Sequence, residues 1–187
     1  MAKKTVFTKE EILKKSYELL REKGIGYITA RNIAKKLNSS PAPIYNSFKS
    51  IDELKYEILS MAKATFLEYV QKPYTDKIFL NIGMGIVLFA KNERQLFDSI
   101  FLKQEFYKDL INDFNKMIFE EFDQDERFKK LSEEKRRWLL HKCWVYAHGL
   151  ATLVCTDFIS NVDMDYIRKN IYDTGMIFIN SVIEDSE

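Results

Sequence analysis

Residues 28–48 read ITARNIAKKLNSSPAPIYNSF, and they contain the clearest helix-start and helix-end signals of the chain. Thr29 is a residue type that caps helix N-termini, so a helix is predicted to begin directly after it. Asn38 tolerates the left-handed conformation in which helices commonly end. Ser40 can cap a second helix, with Pro41 at its first position, where the missing N–H of proline costs nothing. The stretch therefore predicts two short helices with a turn of only three residues between them.

Two helices of about eight residues across such a turn match a helix-turn-helix over about residues 29–48. Helices this short are not stable alone and must dock on flanking helices. Thr8 and Glu11 predict a capping box at the start of an upstream helix, which Gly24 ends, and Ser50 can begin the next helix. An ordinary three-helix packing motif would show the same periodicity, so the pattern alone leaves both structures open.

The charge of the chain is unevenly distributed. Residues 1–50 carry 11 Lys or Arg and 4 Glu, a net +7, whereas residues 51–187 carry 18 basic and 24 acidic residues, a net −6. A basic head on an acidic body is typical of a protein whose head meets a polyanion such as nucleic acid. A solvated lysine-rich surface would give the same count, so charge alone does not choose between the two.

The composition of the 187 residues is typical of a globular helical chain with a sizeable core. Aromatic residues make up 14% of it, and glycine (6) and proline (3) are scarce, which argues against collagen-like, disordered and all-β proteins. No apolar run is long enough to span a membrane, and no secretory signal opens the chain. Cys143 and Cys155 would lie about 18 Å apart in one helix, too far for a disulfide, and two free thiols favour the cytoplasm.

The residues of the basic head also match a known pattern at fixed spacing. Thr-x-Arg-x-Ile-Ala, a short turn, Tyr-x-x-Phe and an acidic-acidic-Leu helix start occur at 29–34, 45–48 and 52–54. Over about residues 5–65 the chain resembles the TetR family of bacterial transcriptional regulators. The resemblance implies an all-α protein. Its N-terminal domain, residues 1–65, would be a three-helix DNA-binding domain, and its C-terminal helical domain, residues 66–187, would bind an effector and form a homodimer.

The resemblance implies a role for each matching polar residue. Thr29 would cap the helix before the turn and touch a DNA phosphate, and Arg31 would reach a phosphate or a guanine edge. Tyr45 would direct its hydroxyl to a phosphate, and Asn46 would read adenine or bind the backbone. The structural alternatives are a half-buried core position for Tyr45, a surface ion pair for Arg31 and an exposed polar position without a partner for Asn46.

The leading end of the second helix is small and largely apolar. Ser40, Ala42 and Pro43 leave room to enter a major groove, and the last two can contact thymine methyl groups. The family commonly has a lysine that clamps a phosphate where this chain has Ile51. Either Lys49 takes over this contact or one contact with the DNA backbone is missing. Few hydrogen bonds to bases are expected, so the shape of the groove should contribute to recognition.

Residues 66–187 are predicted to form a helical body. Helices are suggested at 74–91, 93–109, 110–122, 132–159 and 163–184. The last two are apolar on more than one face, which favours a homodimer through a four-helix bundle, although a central position in the monomer would give the same pattern. The residues predicted for the dimer interface are Gly149, Thr152, Ile171 and Gly175.

Aromatic residues are concentrated in this body, with 20 of them in residues 66–187 against 6 in residues 1–65. The enrichment predicts a cavity for an apolar or aromatic small molecule, oriented by one or two hydrogen bonds. Each of these side chains could equally belong to an ordinary core. The candidate pocket residues are Phe66, Phe101, Tyr107, Trp144 and His148.

Enzymatic chemistry has no recognisable signature in the chain. The two histidines, His141 and His148, are seven residues apart and do not form an i, i+4 metal-binding pair. No Glu-x-x-His pair and no phosphate-binding glycine loop are present, and Gly83-x-Gly85 alone is a weak dinucleotide signal. We therefore expect no catalytic residues, no metal and no cofactor.

The sequence thus predicts a cytoplasmic, homodimeric regulator that binds a palindromic operator in double-stranded DNA and has no membrane partner. We expect a repressor that a small-molecule effector releases from the operator. The alternatives are an effector-independent regulator, an activator, and a helical module whose basic head binds an acidic protein or a membrane surface.

Overall fold

The structure is a computed structural model, and it describes residues 7–103, 128 and 130–184. Every regular element in these residues is helical and no strand occurs among them, which confirms the predicted all-α class. In chain order the helices are α1 (Lys9–Lys23), α2 (Ala30–Lys36), α3 (Ala42–Ser47), α4 (Ile51–Gln71), α5 (Ile78–Asn92), α6 (Arg94–Phe97), α7 (Glu133–Cys155) and α8 (Met164–Glu184). A 3-10 turn at Ile25–Tyr27 precedes α2, and a π-helical turn at Asp98–Leu102 follows α6.

Local sequence signals explain where α1 begins and ends. The Thr8 hydroxyl accepts a hydrogen bond from the Glu11 N–H at 3.1 Å, and the Glu11 carboxylate accepts one from the Thr8 N–H at 2.8 Å, which is the predicted capping box. Gly24 ends the helix with φ 78° and ψ 174°, a conformation that residues with a side chain essentially do not adopt. The chain can therefore turn sharply from α1 into the 3-10 turn.

The chain divides into two compact units. The first contains residues 7–65 together with residues 93–103, which we call the returning segment, and the second contains residues 66–92, 128 and 130–184. The sequence-based division after residue 65 gave the N-terminal unit no such second piece. Helix α6 and the π-helical turn therefore pack with the N-terminal helices, although helix α5 separates them along the chain.

Polar contacts hold the returning segment in the first unit. Arg21 of α1 forms a two-pronged ion pair with Glu93, in which Nε lies 2.8 Å from Oε2. The buried Ser99 hydroxyl donates to the Gln95 carbonyl at 2.6 Å and accepts a hydrogen bond from the Ile25 N–H at 3.2 Å. These contacts reach the end of α1 and the 3-10 turn that leads into α2.

Helix α5 is the centre of the second unit, where α5, α7 and α8 pack on one another. All residues of α5 from 80 to 90 are buried. Gly85 allows a close approach to α4, because a Cβ at this position would lie 2.6 Å from the Cα of Val70. Phe89 packs edge-on against Phe66, with ring centroids 5.3 Å apart.

None of the described helices combines the length and the apolar character that crossing a bilayer requires.

Two helix boundaries differ from the predicted ones where side chains or backbone angles intervene. The helix predicted to start at 74 begins at Ile78, because the Asn81 side chain binds both the N–H of Thr75 at 2.7 Å and its carbonyl at 2.9 Å. The helix predicted to run to 159 ends at Cys155, because Asp157 adopts a φ of 59°, which breaks the helix.

The middle of the predicted body differs more. The helix suggested at 93–109 is only four residues long before it widens into the π-helical turn that ends at Leu102. The remainder of that predicted helix and the one at 110–122 lie outside the described residues. The last helix, predicted at 163–184, is present as Met164–Glu184.

Candidate functional site

The start of α2 is fixed by hydrogen bonds from both sides. Thr29 is its N-cap, as predicted, and its hydroxyl accepts a hydrogen bond from the Asn32 N–H at 3.2 Å. The Asn32 side chain in turn donates to the carbonyl of Tyr27 at 3.0 Å. Thr29 and Arg31 are both exposed, so the hydroxyl keeps a free lone pair at the surface beside a cation.

The turn after α2 has the predicted left-handed residue. Asn38 has a φ of 50°, and the following N–H, that of Ser39, donates to the carbonyl of Ala34 at 2.9 Å. Ile33 and Leu37 are at most 8% exposed, so the short helix is held by burial against the unit rather than by its own length. The turn between α2 and α3 is therefore held by a backbone hydrogen bond and by burial of the helix beside it.

Helix α3 begins one residue later than the sequence indicates. Its first residue is Ala42, and Pro41 before it already has helical angles, with φ −67° and ψ −15°. Ser40 is thereby moved outside the helix and makes no capping hydrogen bond, which corrects the predicted cap. Its carbonyl accepts a hydrogen bond from the Ser39 hydroxyl at 3.0 Å, and Ser40 remains exposed at the leading end of α3.

The side chains of α3 separate into an inner and an outer set. Ile44 and Phe48 are 0% and 2% exposed, and they anchor the helix in the first unit. Tyr45 and Asn46 lie on the outer side, and Tyr45 is 59% exposed, so it is not a core tyrosine within this chain. The outer surface continues at the start of the helix, where Ala42 is exposed and Pro43 is half-exposed.

Positive charge near these helices is only partly neutralised within the chain. Lys36 is 20% exposed and pairs with Glu22 of α1 at 2.7 Å. Arg31, Lys35 and Lys49 are exposed, and in the described part of the chain their side chains form no ion pair. Arg31 and Lys35 are one helical turn apart on the same side of α2. These three cations are available to an external anion.

The junction before α4 contains Lys49 and Ile51, the position where the TetR family commonly has a lysine. The main-chain N–H of Lys49 donates to the Glu53 carboxylate at 2.7 Å, while the Glu53 N–H donates to the Ser50 hydroxyl at 3.1 Å. Ile51 is the first residue of α4 and is half-buried, whereas the Lys49 side chain is exposed. The backbone at Lys49 is therefore fixed while its ammonium group stays in solvent.

A narrow, partly open cavity lies in the second unit, between α5, α7 and α8, and seven of its twelve described lining residues are half-buried. It has a volume of about 50 Å³, counted as the space open to the centre of a water molecule. Its walls are mostly apolar and include rings from all three helices. The lining residues are Phe79, Ile82, Gly83 and Ile86 of α5, Leu140, Cys143, Trp144, Tyr146 and Ala147 of α7, and Ile171, Gly175 and Phe178 of α8.

The predicted pocket residues fall in three places. Trp144 lines the cavity. The His148 ring stacks on the Trp144 ring, with ring centroids 5.3 Å apart and an angle of 22° between the rings. Phe66 is buried elsewhere in the second unit, against Phe89, and Phe101 belongs to the first unit, where it packs on Phe97. The remaining candidate, Tyr107, lies outside the described residues.

The titratable groups at the cavity are held in their neutral forms. Burial raises the pKa of the Cys143 thiol to about 12. Burial also lowers the pKa of His148 from its ordinary value, which favours the uncharged imidazole. In the part of the chain that the structure describes, no Asp, Glu, Lys or Arg lines the cavity. The described part of the cavity wall therefore carries no charged side chain of these four types.

Most of the cavity was missed by the sequence analysis, although one signal pointed to it. Gly83 was considered only as half of a weak glycine motif, yet a Cβ on Gly83 would lie 2.5 Å from Cγ2 of Ile171. The glycine thus marks a close contact between α5 and α8. Phe79 and Gly83 are one turn apart on α5, but α5 is buried on every side from residue 80 to 90, so only the tertiary contact shows which face forms the cavity.

The four residues predicted for a dimer interface separate into two pairs. Gly149 is exposed on α7, with nothing within 4 Å of a Cβ built on it, and Thr152 is half-exposed, with its hydroxyl donating to the His148 carbonyl at 2.9 Å. Ile171 and Gly175 instead line the cavity within the second unit. The exposed face of α7 is thus the part of the predicted interface that is open to a second chain.

No family model matches this sequence, and no curated protein is similar enough to it to count as a relative. Within the described residues, no three His, Cys, Asp or Glu side chains come together as a metal site would require. The resemblance of residues 5–65 to TetR regulators therefore depends on the residues themselves, and function has to be inferred from the two sites above.

Proposed function

We propose that this protein is a sequence-specific DNA-binding transcriptional regulator of the TetR type, a homodimeric repressor that a small-molecule effector releases from its operator. The observation that carries the proposal is the two-sided character of α3. Its inner side is anchored by Ile44 and Phe48, and its outer side exposes Tyr45 and Asn46. A helix that reads a major groove needs this separation of anchor and contact residues.

The end of α3 is held in place by contacts from two other helices. The ammonium group of Lys9 in α1 lies 5.1 Å from the centre of the Phe48 ring and pairs with Glu57 of α4 at 2.7 Å. Phe48 is therefore covered by a cation that α4 fixes in turn. A contact helix with little freedom gives up less entropy when it orders against DNA, so this arrangement favours recognition.

The exposed positive charge also supports DNA binding, and it predicts how strongly that binding should depend on salt concentration. Arg31, Lys35 and Lys49 are exposed cations without an ion pair in the described chain. If each neutralises one phosphate in each half-site of a dimer, six phosphates are neutralised in all. The logarithm of the binding constant should then fall against the logarithm of salt concentration with a slope of about −5.

A homodimer is supported by the outer face of α7. Val145 and Leu153 are 54% and 37% exposed, and Gly149 between them leaves room for a second backbone. On α8, Ile177 is 66% exposed. Apolar side chains at this exposure favour association with a second copy, and two-fold symmetry would set the two heads one duplex turn apart, about 34 Å.

Helix α4 provides a route from effector to DNA. It runs from Ile51, directly after the proposed contact region, to Gln71, and its residues belong to both units. We expect an effector in the second unit to shift α4 and thereby change the spacing of the two heads. A coupling of about 1–3 kcal/mol is typical for such a switch.

Selection of duplexes from a random pool, followed by affinity measurements on the selected palindrome and on a scrambled duplex, tests the DNA-binding proposal. We expect Tyr45→Ala and Tyr45→Phe to weaken binding to both duplexes about tenfold or more, because each removes a hydrogen bond to a charged phosphate. The control is Tyr166→Ala, which removes an exposed tyrosine of α8. Equal affinity of wild type and Tyr45 variants would exclude the proposed contact.

Replacing Arg31 by alanine distinguishes the two roles that remain open for this residue. Weaker binding to the selected palindrome alone indicates that Arg31 reads a guanine edge. Equally weak binding to both duplexes, with a salt slope reduced by about one for each phosphate that is no longer neutralised, indicates that it binds the DNA backbone. If the purified protein shows no salt-dependent binding to any duplex, the DNA-binding proposal is wrong, and binding of the basic head to an acidic protein becomes the better explanation of its charge.

A further inference from the structure

We propose that the cavity between α5, α7 and α8 binds a small, uncharged aromatic molecule of about one ring. This inference names the chemical class of the effector, and its regulatory meaning rests on the function proposed above. The binding itself is a property of the second unit alone, where all of the lining residues lie.

The walls of the cavity favour an aromatic guest. Phe79, Trp144 and Phe178 contribute one ring from each of the three helices. Rings attract one another through edge-to-face and offset contacts, which add to the gain from removing apolar surface from water. Water is a poor occupant here, because a buried water needs two to four polar partners and these walls offer few. An apolar ring that enters the cavity would therefore displace only weakly bound water.

The same walls exclude charged molecules. A buried ion needs a counter-charge or several hydrogen bonds, because its transfer out of water is otherwise very unfavourable. Among the residues that the structure describes, no acidic or basic side chain lines the cavity. The Cys143 thiol has its pKa raised to about 12, so it is not a thiolate at neutral pH and cannot balance a cation. The Tyr146 hydroxyl is a group that can donate one hydrogen bond, which suits a neutral guest with a single acceptor.

The size of the cavity sets the upper limit of the guest. Its volume of about 50 Å³ exceeds the roughly 10–15 Å³ that one water needs, but it is far below that of pockets for drug-sized ligands, roughly 300–1,000 Å³. The cavity cannot widen at Gly83, because α5 is already in close contact with the Ile171 side chain of α8 there. At Gly175, in contrast, an added Cβ would make an ordinary van der Waals contact with Cε1 of Phe79 at 4.0 Å, so a methyl group fits there without displacing a neighbour.

Toluene, benzoate and benzamidine are the probes, because they share one ring and differ in charge, and naphthalene tests the size limit. Binding to the full-length protein is measured as the rise in unfolding temperature and, directly, by ligand-observed NMR. Toluene should give a saturable rise, and benzoate, benzamidine and naphthalene should bind at least tenfold more weakly. Gly175→Leu, which fills the cavity, should abolish the toluene effect, and Gly175→Ala should weaken it.

The matched control is Gly26→Ala, which adds a methyl group to an exposed glycine of the first unit, has nothing within 4 Å of the added Cβ, and should leave toluene binding unchanged. Equal binding of the charged probes, or full toluene binding by folded Gly175→Leu, would overturn the proposal. Absence of toluene binding overturns it as well, even if the protein binds its selected duplex. If the protein binds toluene but no duplex, the cavity does bind an aromatic molecule, and the proposal that this molecule regulates DNA binding is wrong.

Discussion

Alanine in place of Gly24 should destabilise the first unit through the backbone. Gly24 has φ 78° and ψ 174°, between the end of α1 and the 3-10 turn. An alanine must either adopt this conformation or rotate away from it, and rotation would break the turn that leads to Thr29. Its Cβ would also lie 2.5 Å from Oε1 of Gln95 in the returning segment.

The backbone contribution dominates the expected cost. Forcing a residue with a side chain into such a sparsely populated region costs about 1–3 kcal/mol. The contact with Gln95 adds little, because its amide is the far end of a flexible side chain and can move aside. With a urea dependence of roughly 2 kcal/mol per molar, the unfolding midpoint should fall by about 0.5–1.5 M.

Urea unfolding followed by circular dichroism measures this shift. Gly26→Ala is the matched control, because Gly26 lies two residues away, has no positive φ and has no atom within 4 Å of an added Cβ. The double variant Gly24→Ala with Gln95→Ala separates the two causes: if backbone strain dominates, removal of the Gln95 side chain restores little of the missing stability. Equal midpoints for the Gly24 and Gly26 variants, or full recovery in the double variant, would refute the backbone explanation.

Two further predictions concern the second unit. Gly85→Ala should lower the free energy of unfolding by about 1–3 kcal/mol, because its Cβ meets the backbone of α4, which cannot move as a side-chain tip can. Gly175→Ala should instead raise it by about 0.5–1 kcal/mol, because its Cβ makes only an ordinary contact at 4.0 Å and alanine favours a helix over glycine; thermal unfolding of both variants checks this contrast. Burial raises the pKa of Cys143 from 9.0 to about 12, so native stability should fall as the pH rises above about 9, where only the unfolded chain loses the thiol proton. Urea unfolding at pH 8 and pH 10 should show a smaller decrease for Cys143→Ala than for the wild type, and an equal decrease would contradict the assignment.

The two short helices α2 and α3 and the turn between them could be predicted because their signals are local. Thr29 caps α2 and Asn38 takes a positive φ, each through interactions within a few residues. The start of α3 was misplaced for an equally local reason, since Pro41 served as the N-cap itself and displaced Ser40 from that role. Sequence signals thus identified the elements, and competition between two adjacent residues decided the boundary.

The returning segment and the cavity could not be predicted, because their signals are long-range. Arg21 and Glu93 are 72 residues apart, and nothing near either one indicates the other. Helix α5 is apolar on every side, so its periodicity does not show that Gly83 contacts Ile171. When a helix is apolar over most of its surface, its sequence does not show which neighbouring helix each face contacts.

The pairing of residues 93–103 with the N-terminal helices means that neither unit is an uninterrupted length of chain. A gene fragment that stops at codon 65 would encode a head in which Arg21 lacks its carboxylate and the Ile25 amide lacks the Ser99 hydroxyl. Transfer of this head to another body, whether by recombination or by protein engineering, therefore requires two crossovers with a body segment left between them.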